Sequence, residues 1–177
     1  LFLSEHGGTH LDAPYHFDEH GLDIAELPLP RLIAPAKVLD FSHKKPLQGI
    51  APEDLEAAIS SQGLRLEAGD AVVVRTDHSK NYDRPDFTMH RPHITAEGAQ
   101  WLVDKNPGFL VTDLVGLDPP DDPTTPVHLA FLLAGVPFCQ VTCNLAQLST
   151  GSWQVAVFPL KLVGGTGSPA RPYAIEV

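Results

Sequence analysis

Four side chains of metal-binding type fall within eleven residues near the start of this chain: His6, His10, Asp12 and His16, in the segment SEHGGTHLDAPYHF over 4–17. An extended His10–Asp12 sends both side chains from one face of a strand, about 6 to 7 Å apart at Cα. A cation between them can then accept an imidazole nitrogen and a carboxylate oxygen at about 2.0 to 2.2 Å each. Gly7 and Gly8 allow the turn that would bring His6 back to the same point. Pro14 ends regular pairing and can re-aim His16 at the open side of the ion. A single histidine on a strand is ordinarily hydrogen-bonded or exposed; this density of ligating residues predicts a metal site instead. The spacing is neither that of a zinc finger nor H-E-x-x-H.

The rest of the chain reads as a scaffold of short elements. Seventeen prolines and fourteen glycines in 177 residues favour a loop-rich fold over a helical bundle. With 43% hydrophobic and 19% charged residues, the chain can still bury a core. Residues 38–41 and 71–76 have strand length and composition. Pro52–Gln62 predicts a helix, with proline in its first turn, Glu53 and Asp54 at its positive end and Gly63 as the stop. Residues 95–106 predict a second helix, capped by Thr95 and ended by Pro107-Gly108. Residues 109–114 read as a buried strand, and DPPDDPTTP over 118–126 as an irregular loop. A short helix over 128–134, strands over 136–141 and 153–163, and a glycine-rich turn over 164–169 complete the pattern. The expectation is one domain over 1–177, α/β in class with α+β as the alternative organisation, and a mixed β-sheet flanked by helices.

Twelve Lys+Arg against twenty-two Asp+Glu leave a formal charge of −10. That field repels phosphate backbones and argues against a nucleic-acid partner. The longest nearly apolar run, 129–139, has 11 residues, against the roughly 20 needed to cross a bilayer, so no membrane partner is expected. No basic-and-apolar leader opens the chain, which starts at Leu1 rather than Met. The expectation is that an upstream segment is missing and that the protein is cytoplasmic. Cys139 and Cys143 lie too close together to staple a fold and read as reduced, buried thiols of an intracellular protein.

HGGTHLDAPYH matches H-x-G-T-H-x-D-x-P-x-H, and on those residues the chain resembles the cyclase family of metal-dependent hydrolases, which includes bacterial-type kynurenine formamidases and isatin hydrolases. Ile33–Asp40, Ala96–Val103, 128–148 and the closing PLKLVGGTGSPAR are similar to the family too, so the likeness covers most of the chain. It implies a swivelling β/β/α-like fold, hydrolysis of non-peptide C–N bonds in small amides or lactams, and a homodimer or larger homo-oligomer. By the same resemblance His6, His10 and Asp12 correspond to the first-metal ligands, and His16 to the catalytic histidine, the general acid/base. His128 corresponds to a distal ligand that serves a second metal where one is bound. Twelve residues later the formamidases carry a glutamate that bridges the metals; here that position is Gln140.

Gln140 is the departure with the largest consequence. A carboxylate can give one oxygen to each of two cations and brings a negative charge; an amide offers one neutral carbonyl oxygen. Without that charge a two-cation cluster is weakened. One tightly held ion is therefore expected; its identity is not encoded by these donors, and the resemblance implies zinc first and manganese next. Gln140 either ligates it or turns its amide into a hydrogen-bond network, and His128 either completes the shell or contacts substrate. Cys139 would face away from a metal that Gln140 faces, because strand neighbours alternate. Thr9 is expected to set the turn and to bond a metal ligand's other oxygen, and Asp113 and Asp118 to serve turns and strand ends. Phe2, Tyr15, Phe17, Tyr82 and Phe87 read as packing or surface residues with a pocket role open to them. His78, His90 and His93 read as loop residues in a stretch, 77–93, that departs from the family, and His20 and His43 as surface.

Two functions stay open on the sequence. One is a hydrolase of formamides or lactams, kynurenine formamidase-like and so tied to tryptophan catabolism, or isatin hydrolase-like. There, metal-activated water attacks the carbonyl and His16 carries the proton to the leaving nitrogen. The other is a metal-binding protein that keeps the ligands and has lost turnover.

Overall fold

The short apolar runs pair into a sheet that closes on itself. The computed structural model describes residues 2–148 and 151–177. Among these the strands are β1 (His10–Asp12), β2 (Ile33–Asp40), β3 (Gly49–Ile50), β4 (Ala71–Arg75), β5 (His93–Ile94), β6 (Phe109–Thr112), β7 (Phe138–Gln140), β8 (Trp153–Pro159) and β9 (Gly167–Glu176). The helices are α1 (Pro52–Gln62), α2 (Ala96–Val103) and α3 (Pro126–Leu133). A barrel runs in the order β1-β7-β6-β4-β2-β8-β9, closed by β1, which pairs with β7 on one side and β9 on the other. β2, β4, β6 and β7 are mutually parallel, whereas β1, β8 and β9 run antiparallel to their neighbours. The mixed sheet and the α/β class are as expected from the sequence; the closure is not legible there. β3 and β5 form a separate parallel pair.

Burial follows the two-residue period of each strand. Leu11, Val73, Val111, Cys139, Val155 and Val157 fill the barrel. Leu39, Val72, Val74, Leu110 and Phe138 point outward into a second layer with Leu55, Leu102, Phe131 and Leu132 of the helices. Because both faces of β4 are covered, Ala71 to Val74 are all buried, and the strand reads as a continuous apolar run.

Helix α1 has the expected bounds: Asp54 accepts the Ala51 N–H at 2.9 Å, and Gly63 takes φ 60° at the C-cap. Helix α2 stops three residues before the expected end, ahead of Asn106 at φ 53°. β2 starts at Ile33 rather than 38, because β8 pairs with residues 33–36. The expected strand over 153–163 ends at Pro159, and the glycine-rich turn is shorter than expected. From Gly167 onward the chain is β9, the longest strand, hidden from a sequence reading by Pro169 and Pro172. Ala170 donates its N–H to Thr9 O, so by alternation the Pro172 nitrogen faces the same side, where pairing with β1 has ended and no ladder bond is lost. Cys139 is buried as expected, but Cys143 is exposed, lying beyond β7 where the chain leaves the barrel. No helix among the described residues is long and apolar enough to cross a membrane.

Candidate metal centre

β1 lies in register with β7 so that His10 pairs with Gln140 and Leu11 with Cys139. Leu11 and Cys139 turn into the barrel, which sends His10, Asp12 and Gln140 to its outer face. His10 and Asp12 are buried there, at 4% and 0% exposure. The Gly7-Gly8 turn, with Gly8 at φ 63°, returns His6 to the same place. Gly167 leaves room for the ring: a Cβ there would lie 2.7 Å from His6 Cε1. One ligand atom from each of His6, His10 and Asp12 lies within 4.8 Å of the others.

Proton accounting shows what these atoms are. His10 Nδ1 lies 2.7 Å from Gly8 O, and a carbonyl only accepts, so Nδ1 carries the proton and Nε2 a lone pair. That Nε2 is buried, has no hydrogen-bond partner, and stands 3.2 Å from Asp12 Oδ1. The Thr166 hydroxyl donates to Glu5 Oε2 at 2.7 Å, so it must accept from His6 Nε2, 2.8 Å away. With its proton on Nε2, the His6 ring turns Nδ1 to Asp12 Oδ1 across 2.7 Å, where a lone pair can meet a cation. Three acceptors converging in a buried site require a proton or a cation among them. Two imidazoles oriented by a carbonyl and a hydroxyl, with one carboxylate, form a donor set that fits a divalent ion.

In the protein without an ion, protons fill this role. Burial opposes ionisation of Asp12, but the His10 and His6 imidazoles outweigh it and hold the carboxyl well below its usual range. Burial likewise opposes a charge on His10, and the Asp12 carboxylate overcomes it, raising that imidazole.

Gln140 does not offer an oxygen to this cluster. Its Oε1 accepts the Gly116 N–H at 2.6 Å, and its Nε2 donates to Asp12 Oδ2 at 2.8 Å. Flipping the amide would set N–H against N–H and oxygen against carboxylate, so the orientation is determined. Of the two roles expected for Gln140, the carboxamide here makes the hydrogen-bond network, donating to Asp12 and accepting from Gly116. Val141, next in sequence, sits at φ 55°, rare for a β-branched residue. It is clamped by its N–H on Leu114 O at 2.9 Å and by the Thr9 hydroxyl on its carbonyl at 2.6 Å. Thr9 thus braces the strand carrying Gln140 rather than a metal ligand.

His128, in the first turn of α3, brings its Nε2 to 3.7 Å from Asp12 Oδ2. Its Nδ1 hydrogen-bonds Asp118 Oδ2, while Asp118 Oδ1 accepts the Val127 N–H at 2.6 Å. Asp118 therefore orients His128 and also satisfies a free N–H at the start of α3. The proline-rich surroundings of Asp118 hid this role in the sequence.

His16 stacks on His6, with ring centroids 4.1 Å apart, and faces His128 at 6.5 Å. Burial first, and the neighbouring His6 second, lower its imidazole below the usual value. Phe17 borders the same space, at 4.7 Å from His16 and 5.6 Å from His128. Phe2, Tyr15 and Tyr82 are exposed, and Phe87 is buried, stacked on His78. His78 is itself buried, donating Nε2–H to Phe87 O at 2.7 Å, a packing role that a loop reading of 77–93 did not contain. His20, His43 and His90 are exposed, and Asp113 holds a strand end through Thr76.

Comparison with known proteins places this geometry among relatives. Residues 1–119 match the Cyclase family model, described as "Putative cyclase". A kynurenine formamidase of Bacillus thuringiensis (strain Al Hakam) is 30% identical over 172 residues, covering 97% of this chain and 76% of that protein. The crystal structure of an isatin hydrolase bound to the product analogue thioisatinate superposes with a TM-score of 0.89 at 27% identity, covering 99% of this chain and 74% of that one. The structure of a potential metal-dependent hydrolase with cyclase activity superposes with a TM-score of 0.80 at 27% identity, covering 97% and 79%.

Proposed function

This chain belongs to the cyclase family of metal-dependent hydrolases, and from that membership we propose that it hydrolyses the C–N bond of a formamide or cyclic amide, as arylformamidases do. The observation that carries the reading is the convergence of His6 Nδ1, His10 Nε2 and Asp12 Oδ1, with the His10 nitrogen buried and unpartnered. In this reading those three atoms hold one divalent ion. When bound, such an ion acidifies a coordinated water from about 15.7 toward 7 and polarises a carbonyl. The His6 and His10 rings are kept in the ligating tautomer by Thr166 and Gly8 O. His16, neutral near physiological pH because burial and His6 lower its pKa, takes up a proton and returns it to the leaving nitrogen. His128, oriented by Asp118, faces the same space and serves as a neighbour or substrate contact.

Zinc is the ion assigned. Two imidazole nitrogens and one carboxylate oxygen are donor types that would suit zinc and leave it able to activate water. The hard amide oxygen that would have favoured manganese is engaged by the Gly116 N–H. Gln140 in place of a carboxylate supports a single ion. The domain is taken as one unit over 1–177, acting as a homodimer or larger homo-oligomer.

The test is turnover by the zinc-loaded protein on N-formylkynurenine and on isatin. Hydrolysis of either supports the assignment and separates formamidase from lactamase. Zinc held at one equivalent without turnover of any formamide or lactam would leave the metal-binding reading in its place.

A further inference from the structure

Arg91 is a buried cation that nothing above uses. Only 5% exposed, it donates Nε to Thr88 O at 3.0 Å and Nη1 to Pro92 O at 3.3 Å and Asp118 O at 2.8 Å. These acceptors are all backbone carbonyls. Its remaining nitrogen, Nη2, lies against Gly116, where a Cβ would come within 2.9 Å of it and where φ is 76°. Burial pushes the guanidinium down to about 10, with Asp118 pulling the other way, so it stays charged near neutrality. A desolvated guanidinium is costly to keep, which directs attention to what it touches.

It touches the two ends of one short loop. Gly116 supplies the N–H that takes the Gln140 carbonyl, at 2.6 Å. Asp118 supplies the carboxylate that holds His128 Nδ1. Between them, Leu117 O accepts the Ile94 N–H at 2.9 Å, tying the loop to β5 three residues beyond Arg91. Both lines end on the same atom: Gln140 Nε2 reaches Asp12 Oδ2 at 2.8 Å, and His128 Nε2 stands 3.7 Å from it. The other oxygen, Oδ1, is the one facing His6 and His10.

We propose that Arg91 is a positioning residue of the metal centre: by gripping the Asp118 carbonyl and packing on Gly116 it fixes the loop that aims Gln140 and His128 at Asp12 Oδ2, leaving Oδ1 for the cation. This rests on the metal-centre reading above. It concerns a residue in the 77–93 stretch, outside the ligand motif.

The test uses the whole chain as wild type, R91M, R91K and G116A, with two readouts. The first is the zinc dissociation constant by competition with a chromophoric chelator. The second is hydrogen exchange of the Gln140 side-chain amide in metal-free protein, followed by NMR. Loss of the grip in R91M is expected to weaken zinc by about 10- to 100-fold, the range for residues that orient ligands, and to speed Gln140 exchange. G116A, which strains the same turn through its φ of 76° and sets a methyl against Nη2, is expected to do the same, and R91K, which keeps the charge, to recover part of the affinity. Variants that melt lower yet keep wild-type zinc affinity and Gln140 protection would reduce Arg91 to a structural residue and overturn the proposal. If R91M does not fold, R91K decides by the same criterion. Failure of the wild type to bind zinc would instead strike the metal-centre reading, while Gln140 exchange in the metal-free variants would still decide whether Arg91 sets that side chain.

Discussion

Gln140 donates its side-chain N–H to Asp12 Oδ2 at 2.8 Å. The two residues lie on paired strands, β7 and β1, in the register that sets His10 opposite Gln140. The contact gives the two carboxylate oxygens different tasks, since Oδ1 faces the imidazoles and Oδ2 accepts from an amide held in turn by Gly116. A neutral donor at this position stabilises a lone buried anion; a second anion here would need a second cation to offset it.

Gln140→Glu is accordingly expected to raise metal stoichiometry from one ion to two, read by elemental analysis after gel filtration. In chelator-treated protein the same change replaces a hydrogen bond by like-charge repulsion. It also puts a carboxylate in the buried site, and it should cost about 1 to 3 kcal/mol, read by denaturant unfolding near neutral pH.

His16→Ala should lower amide hydrolysis by about 100- to 10,000-fold, the usual contribution of a general acid/base. Zinc affinity should change little, because His16 stacks on a ligand ring without sharing its nitrogen. An equal loss of affinity and rate would make His16 a ligand instead.

Zinc should stabilise the fold by linkage. At one hundred times the dissociation constant the gain is about 2.7 kcal/mol, or about 5 to 10 °C in Tm for a domain of this size. Asp12→Ala should abolish the shift, and chelation should reverse it together with activity.

The Asp12 and His10 pair should contribute most to the stability of the metal-free protein in weak acid. Asp12 has its folded pKa depressed, so its contribution is complete above its unfolded value of about 3.9 and is lost as pH falls from there toward the folded value. His10 has its folded pKa raised, so its contribution is complete below about 6.5 and is lost as pH rises through the folded value. The difference in melting temperature between wild type and Asp12→Asn should trace this dome, and saturating zinc should remove its alkaline decline by taking the place of the proton. Asp12→Asn should flatten both limbs.

Much of the scaffold is local and was readable as such. Helix α1 is written in Pro52, Asp54 and Gly63, each acting within a turn of its own position. β9 was not readable, because whether Pro172 breaks a strand depends on where β1 ends, more than 150 residues earlier in the chain. The exposure of Cys143 is hidden from the sequence for a similar reason: beyond the end of β7 it depends on which elements cover the chain.

The order of residues by itself determined the metal-binding types, the glycine turn that returns His6, and the strand parity that sets His10 and Asp12 on one face and turns Cys139 away from Gln140, since these follow from backbone geometry over a few residues. Only the tertiary structure decided which oxygen of Asp12 is left for a cation, what the Gln140 amide does, and how Asp118 aims His128. Those outcomes depend on the partner each buried polar group finds, and here the partners, Gly116, Asp118 and Arg91, reach the site only through the packing of the 116–118 loop against β5, β7 and α3.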